Sequence, residues 1–238
     1  MKTLKTSEDS VKIVALVPMR HSSERVPGKN HRLFCGKPLF SYIIRSLSDC
    51  PKISTIVVDT DSPVIKAHLA GEFPHVKLID RPEHLLAGEV PMNDVLLHDV
   101  GIVDADFYLQ THSTNPLLSP QTINRAIEMF LEKRSTYDSL FSVTRIQVRL
   151  WDSLCRAVNH NPSMLLRTQD LPPLFEENSC LYIFSRQTLE ESHNRIGRRP
   201  LMFKIDRREA WDIDEEIDFE LAEFLYQRYY HKSAEDSK

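Results

Sequence analysis

The sequence predicts an α/β domain of three layers, α/β/α, with helices on both faces of a mostly parallel sheet. Three observations carry that expectation. Short, uncharged, β-branched runs recur along the chain, beginning with Ile13-Val14-Ala15-Leu16-Val17. Without polar alternation they read as strands buried on both faces. Stretches with helical spacing separate them, and such alternation builds parallel sheets through crossover connections. A cationic, hydroxyl-rich loop follows the first run, where an α/β sheet binds ligands beyond the carboxyl ends of its strands.

At 238 residues, one domain over 11–230 is expected, with polar, frayed tails at 1–10 and 231–238. The formal net charge of −4 argues against a general nucleic-acid binder. No apolar run approaches the roughly 18 residues of a membrane span. The opening MKTLKTSEDSVK lacks an apolar signal core, so the expected location is the cytoplasm. Neither a membrane nor a nucleic acid is expected as a partner. Cys35, Cys50, Cys155 and Cys180 form no C-x-x-C pair and read as buried free thiols.

Pro18 cannot donate to a ladder and ends the first strand. The loop behind it holds Arg20, Arg25 and Lys29 together with Ser22, Ser23, Gly28 and Asn30. A nucleoside triphosphate needs such fixed donors and cations. The competing reading is a merely solvated loop, since the stretch is neither Gly-x(4)-Gly-Lys-Ser/Thr nor Gly-x-Gly-x-x-Gly. Pro38 suits a first helical turn, and Leu39, Tyr42, Ile43 and Leu47 follow at helical spacing. Residues 53–58 form the second strand. Asp61 or Ser62 then caps a helix from Pro63, although Asp61, at a strand's carboxyl end, can also face a ligand. Residues 76–79 form a third strand, followed by Arg81-Pro82; taken alone, Arg81 reads as a surface ion pair.

A helix over 94–100 leads to a strand at 107–110, where Gln110 offers both a donor and an acceptor. His112 invites reading as a catalytic base, against a purely structural role. Asn115-Pro116 signals a turn, and Ser119-Pro120 starts a helix through Phe130. Residues 139–144 form another strand. Residues 145–177, with Arg145, Arg149, Trp151, Arg156 and Arg167, show no clean period and read as an excursion with one or two antiparallel strands. Strands follow at 177–186 and 201–205. In Asp212-Ile213-Asp214 the two carboxylates share one side of an extended segment, because side chains alternate. That pair makes a hard-oxygen site for Mg²⁺; the rival reading makes Asp214 the N-cap of a helix over 215–229.

The stretch from Pro18 to Asn30 fits P-x-R-x-x-S-x-R-x-P-x-K-N and so resembles the signature of the sugar-activating cytidylyltransferases. Lys29-Asn30 and Gly36-Lys37-Pro38-Leu39 are similar to the CMP-sialic acid synthetase (N-acylneuraminate cytidylyltransferase) branch. Arg81-Pro82, the Gln110 segment, Asn178 to Phe184 and Asp212-Ile213-Asp214 follow in the family's order, over about residues 12–228. Departures are Glu24 for a usual basic residue, His21-Ser22 for a glycine pair, Ser179 for a glycine, and Asn93 near a usual serine.

The resemblance implies a nucleotide-diphospho-sugar transferase-like fold and a homodimer whose contact is the 145–177 insertion. It implies that CTP and an acidic, nine-carbon-type 2-keto-3-deoxy sugar react to a CMP-sugar and pyrophosphate, with Mg²⁺. Arg20, Ser23, Arg25, Lys29, Asn30 and Arg81 would bind the nucleotide, and Gln110 and Asn115 the acceptor. Asp212 and Asp214 would hold the metal, with Arg20, Lys29 and Asp212 catalytic. Arg149 or Arg167 would meet the acceptor's carboxylate, or else both are solvated surface. The alternatives are a CMP-Kdo synthetase-like enzyme and a catalytically silent nucleotide-binding relative.

Overall fold

Seven strands in the order β5-β4-β1-β6-β8-β7-β9 form the central sheet of the computed structural model, which describes residues 11–231. The expected tails therefore lie almost wholly outside the described residues. The strands are β1 (Ile13–Pro18), β4 (Thr55–Thr60), β5 (Lys77–Asp80), β6 (Phe107–Thr111), β7 (Ser139–Ile146), β8 (Leu174–Phe184) and β9 (Pro200–Lys204). A small hairpin of β2 (Leu33–Phe34) and β3 (Lys37–Pro38) stands apart. Every pairing in the main sheet is parallel except those of β8, which runs antiparallel to β6 and β7. All six residues of β1 are buried, as its uncharged sequence requires.

Helices cover both faces. On one lie α1 (Phe40–Ser48), α2 (Pro63–Glu72) and α4 (Pro120–Lys133), which pack Ile43, Ile65 and Ile127 against Ala15 and Val17. On the other lie α3 (Met92–Ile102) and α5 (Arg186–Ser192), which bring Leu96 and Leu189 to Leu16, Tyr108 and Tyr182. A last helix, α6 (Glu216–Tyr226), closes a smaller core with Phe34, Leu39 and Ile213.

Local chemistry sets the boundaries. Ser62, Ser119 and Ser185 each accept a backbone N–H of the helix they precede, and Pro63 and Pro120 stand at the first helical positions. Ser62, not Asp61, is thus the cap of α2. Pro38 does not open α1, because it pairs in the β2–β3 hairpin. Cys35 and Gly36, both at positive φ, make the two-residue turn that this hairpin needs. The cap of α6 is Glu215, in a capping box with Asp218, so the reading of Asp214 as cap is overturned. All four cysteines are free, but only Cys50 and Cys180 are buried; Cys155 is exposed.

The excursion between β7 and β8 starts as an extension of their ladder. Beyond an irregularity between Phe141 and Val143, residues 143–146 pair with 174–177. Asn178 fills that irregularity: its Oδ1 accepts the Ser142 hydroxyl at 2.6 Å and its Nδ2 donates to Thr144 Oγ1 at 2.9 Å.

Candidate active site

The carboxyl ends of β1, β4 and β6 and the segment before α6 gather the expected residues around two neighbouring cavities. A cavity of about 560 Å³ is lined by Arg20, Ser23, Arg25, Lys29, Asn30 and Arg81, with His112 and Thr114 opposite. A second, of about 450 Å³, is lined by Asp212, Asp214, Glu177, Asn178, Ser179 and Arg207.

The loop after β1 is held from three sides. Asp61 Oδ1 accepts the His21 N–H at 2.7 Å, which gives Asp61 a supporting role instead of a cap. Asn30 donates to the Arg20 carbonyl and accepts from Ser113, each at 2.7 Å, so both ends of its amide are engaged. Gly28, at φ 64°, turns the chain into the short helix that buries Lys29. The side-chain ends of Arg20 and Glu24 both lie against Gly88, and the Arg20 guanidinium has no hydrogen-bonded protein partner among the described residues.

Lys29 joins the two cavities. Its Nζ donates to the Ile213 carbonyl at 2.5 Å and stands 3.7 Å from Asp214 Oδ1. Burial pulls the Lys29 pKa down, and the Asp214 and Asp212 carboxylates oppose that pull. Asp214 also takes Arg25 Nη2 at 2.6 Å. Asp212 faces the same cavity as Asp214, as alternation requires. Its Oδ1 is buried without a partner. Burial raises the Asp212 carboxyl, a hydrogen bond from Thr114 opposes the rise, and Asp214 adds to it. An orphaned carboxylate oxygen beside a second carboxylate suits a hard divalent cation, so these residues fit Mg²⁺.

Arg81 reaches the first cavity while ion-paired to Asp59, and both are buried. Asp59 also neighbours Asp99 and His98, a trio whose oxygen and nitrogen atoms lie close enough to share an ion. The Arg81 guanidinium already supplies the cation there. Burial beside Asp59 pushes Asp99 up to about 9, which keeps it protonated at neutral pH.

Gln110 is fully buried and lines neither cavity. Its Nε2 lies 3.1 Å from His112 Nε2, and its Oε1 accepts from Arg195. Burial, with Arg195 and Lys29 nearby, lowers the His112 pKa to about 3, so this imidazole is neutral and too weak a base for a neutral-pH proton. Asn115 is also fully buried; its Nδ2 donates to the Trp211 carbonyl at 3.2 Å and steadies the segment that carries the acids. Arg149 donates to the Leu166 carbonyl and Arg167 pairs with Asp170, so within this chain both serve the excursion itself.

Ser179 sits at φ 56°, a left-handed conformation that explains why glycine is usual there. Residues the sequence reading passed over are Thr114, Glu177, Arg195 and Arg207. Glu177 opens the strand expected at 177–186 but had no role there; Thr114, Arg195 and Arg207 carry no local signal.

The cytidylyltransferase family model matches residues 14–236. The chain belongs to the cytidylyltransferase family. Members of that family are nucleotidyltransferases, and the chain is similar to several with known names. It is 29% identical over 233 residues to the CMP-N,N'-diacetyllegionaminic acid synthase of Legionella pneumophila, covering 90% of this chain and 96% of that one. It is 24% identical over 235 residues to the pseudaminic acid cytidylyltransferase of Campylobacter jejuni, covering 94% and 100%. A solved CMP:2-keto-3-deoxy-manno-octonic acid synthetase, complexed with CTP, superposes with a TM-score of 0.68 at 16% identity, over 91% of this chain and 99% of that one. This cytidylyltransferase therefore has the nucleotide-diphospho-sugar transferase-like fold that its motifs imply. No helix among its described residues is long and apolar enough to cross a membrane.

Proposed function

We propose that this cytidylyltransferase transfers CMP from CTP to the anomeric hydroxyl of a nonulosonic acid, a nine-carbon 2-keto-3-deoxy acid sugar, and releases pyrophosphate. The observation that carries the reading is the junction at Lys29, where a cation-lined cavity meets a carboxylate-lined one. The named relatives that act on legionaminic and pseudaminic acids support the acceptor class.

Arg20, Arg25, Lys29 and Arg81 screen the triphosphate, and Ser23 adds a hydroxyl donor. The acceptor's anomeric oxygen attacks the α-phosphorus in line, the bond from that phosphorus to the β-phosphate bridging oxygen breaks, and its electron pair leaves with pyrophosphate. The hydroxyl proton passes to solvent. Asp212 and Asp214 would hold Mg²⁺, which supplies neutralisation of charge on the phosphates. Asp214 holds Arg25 and Lys29, and both cations would turn to phosphate were Asp214 to hold Mg²⁺. Catalysis of this kind rests on positioning and electrostatics.

The test is pyrophosphate release with CTP, ATP and UTP against a panel of nine-carbon acids and the eight-carbon Kdo, with and without chelator. CTP-dependent release that needs a divalent metal and favours a nine-carbon acid is expected. Equal turnover of ATP or UTP removes the cytidine assignment. Preference for Kdo moves the acceptor to the eight-carbon class. No release with any acid sugar leaves a catalytically silent nucleotide binder.

A further inference from the structure

Behind the phosphate cavity two buried carboxyl oxygens lack a partner, and the steps above use neither. Asp59 is fully buried near the carboxyl end of β4, and Asp99 is buried on α3. Asp59 Oδ1 accepts the Arg81 Nε–H, while Asp59 Oδ2 has no partner. Asp99 Oδ1 lies 3.3 Å from His98 Nδ1, while Asp99 Oδ2 has none. Two orphaned oxygens at this depth are costly. They also stand close, because one carboxylate oxygen of each acid and a ring nitrogen of His98 lie within 4.8 Å of one another. Carboxyl groups that near cannot both ionise. One proton held between them satisfies both orphans, since a protonated carboxyl donates where a carboxylate only accepts. Burial, the Asp59 charge and a hydrogen bond between the two groups push Asp99 up to about 9, against the pull of Arg81.

The chain of contacts ends in the phosphate cavity, which Arg81 lines from a buried position. Asp59 takes its Nε–H through the carboxylate and its Nη2, at 3.4 Å, through the carbonyl. The Arg81 Nη1 has no protein partner among the described residues. The same Asp59 carbonyl accepts the Met19 N–H at 2.9 Å, where the loop with Arg20, Arg25 and Lys29 begins. The groups that face Asp99 are Asp59 from β4, Arg81 from the segment after β5, and His98 beside it on α3. With one proton between them, the two acids carry one negative charge against the one positive charge of Arg81. A second negative charge would draw the guanidinium back towards the acids and repel a triphosphate. We propose that Asp59 and Asp99, bridged by one proton, act as a single anion and are positioning residues that aim the Arg81 guanidinium at the nucleotide. This assignment rests on the nucleotide-binding reading of Arg81 above.

The experiment follows CTP binding against pH by calorimetry, with and without Mg²⁺, for the natural protein, Asp99→Asn and Asp59→Asn. Asparagine at position 99 keeps a donor towards Asp59 at every pH, so Asp99→Asn holds the pair in its singly charged form. The Kd of the natural protein divided by that of Asp99→Asn should rise roughly tenfold between pH 7 and about pH 10, as one charge-assisted contact is lost. Lys29 also gives up its proton at alkaline pH, but it does so in both proteins and leaves the ratio alone. A ratio that ignores pH overturns the assignment, because a merely structural pair moves the Tm and not the affinity. Asp59→Asn should weaken CTP binding roughly tenfold to a hundredfold at neutral pH; an affinity equal to the natural one also overturns the assignment. If one variant does not fold, the other decides. A natural protein that binds CTP in neither condition at neutral pH defeats the nucleotide reading instead, and this assignment falls with it.

Discussion

Asp214 and Asp212 differ in what surrounds them, and the difference tells their roles apart. Asp214 is half exposed and holds two cations, whereas Asp212 is mostly buried with one oxygen unpaired. Lys29→Ala removes a buried cation from the junction, so turnover or CTP affinity should fall roughly tenfold to a hundredfold, for a charge-assisted contact of about 1.5–3 kcal/mol. Steady-state kinetics beside a melting curve checks that the fold survives. Asp212→Asn keeps the shape and removes the anion. Magnesium affinity should drop and excess Mg²⁺ should partly restore turnover; near-normal turnover would take Asp212 out of the site. Asp99→Asn tests the buried pair behind Arg81. Unfolded, Asp99 ionises near the ordinary value of about 3.9; folded, it is pushed up to about 9. Between those values folding must take up a proton, so its contribution falls as pH rises through that window. Asp99→Asn removes the demand. Its Tm at pH 8 should exceed the natural one by several degrees, and the gap should close towards pH 4. A gap that ignores pH would show that Asp99 is not held protonated. Residues of the 20–30 loop were legible because their chemistry is packed into one contiguous stretch. Arg195 was not, since nothing local separates it from Arg198 and Arg199; only the fold lays it on Gln110.

Among the elements, the strands were legible because short β-branched or aromatic apolar runs have few other uses, and β1, β4 and β6 lie where such runs stand. The helix α5 was missed. It has seven residues and buries only Thr188 and Leu189, too few to write a period. The reversed direction of β8 was equally hidden, because it depends on how far the excursion carries the chain before it returns along β7. The start of α6 was half legible: an acidic first turn was visible, but Glu215 and Asp218 share the capping box that Asp214 was a candidate for. Asp218 Oδ2 accepts the N–H of Glu215 at 2.8 Å and of Asp214 at 3.1 Å. This helix end therefore sets the direction of the extended segment that carries Asp212 and Asp214. Asp218→Ala should cost about 0.5–2 kcal/mol of stability, as the loss of a cap does, and should also raise the Mg²⁺ concentration needed for half-maximal turnover. A lowered Tm with an unchanged magnesium profile would confine Asp218 to the helix.

For the whole molecule, the sheet supplies a rigid platform and the excursion between β7 and β8 supplies a surface. Val148, Trp151, Leu154, Val158, Met164 and Leu165 are all exposed there, with Leu165 at 88%. A contiguous stretch of exposed large apolar side chains marks an interface. The segment packs little of its own core: among its residues up to 173 only Leu171 is buried. A second copy of the chain is the occupant we propose, consistent with the homodimer that the motifs imply. A symmetric dimer would bring each apolar patch against its equivalent or a neighbouring patch, so one substitution weakens the contact twice. The natural protein should sediment as a dimer at micromolar concentration. Leu154→Asp together with Leu165→Asp should sediment as a monomer while keeping its Tm within a few degrees, since neither side chain is part of the core of its own chain. A natural protein that sediments as a monomer removes the dimer. A charged double variant that stays dimeric places the contact elsewhere on the molecule. If the monomeric variant also loses turnover while still binding CTP, the excursion does more than join two copies, because it then completes the acceptor side of the neighbour's site.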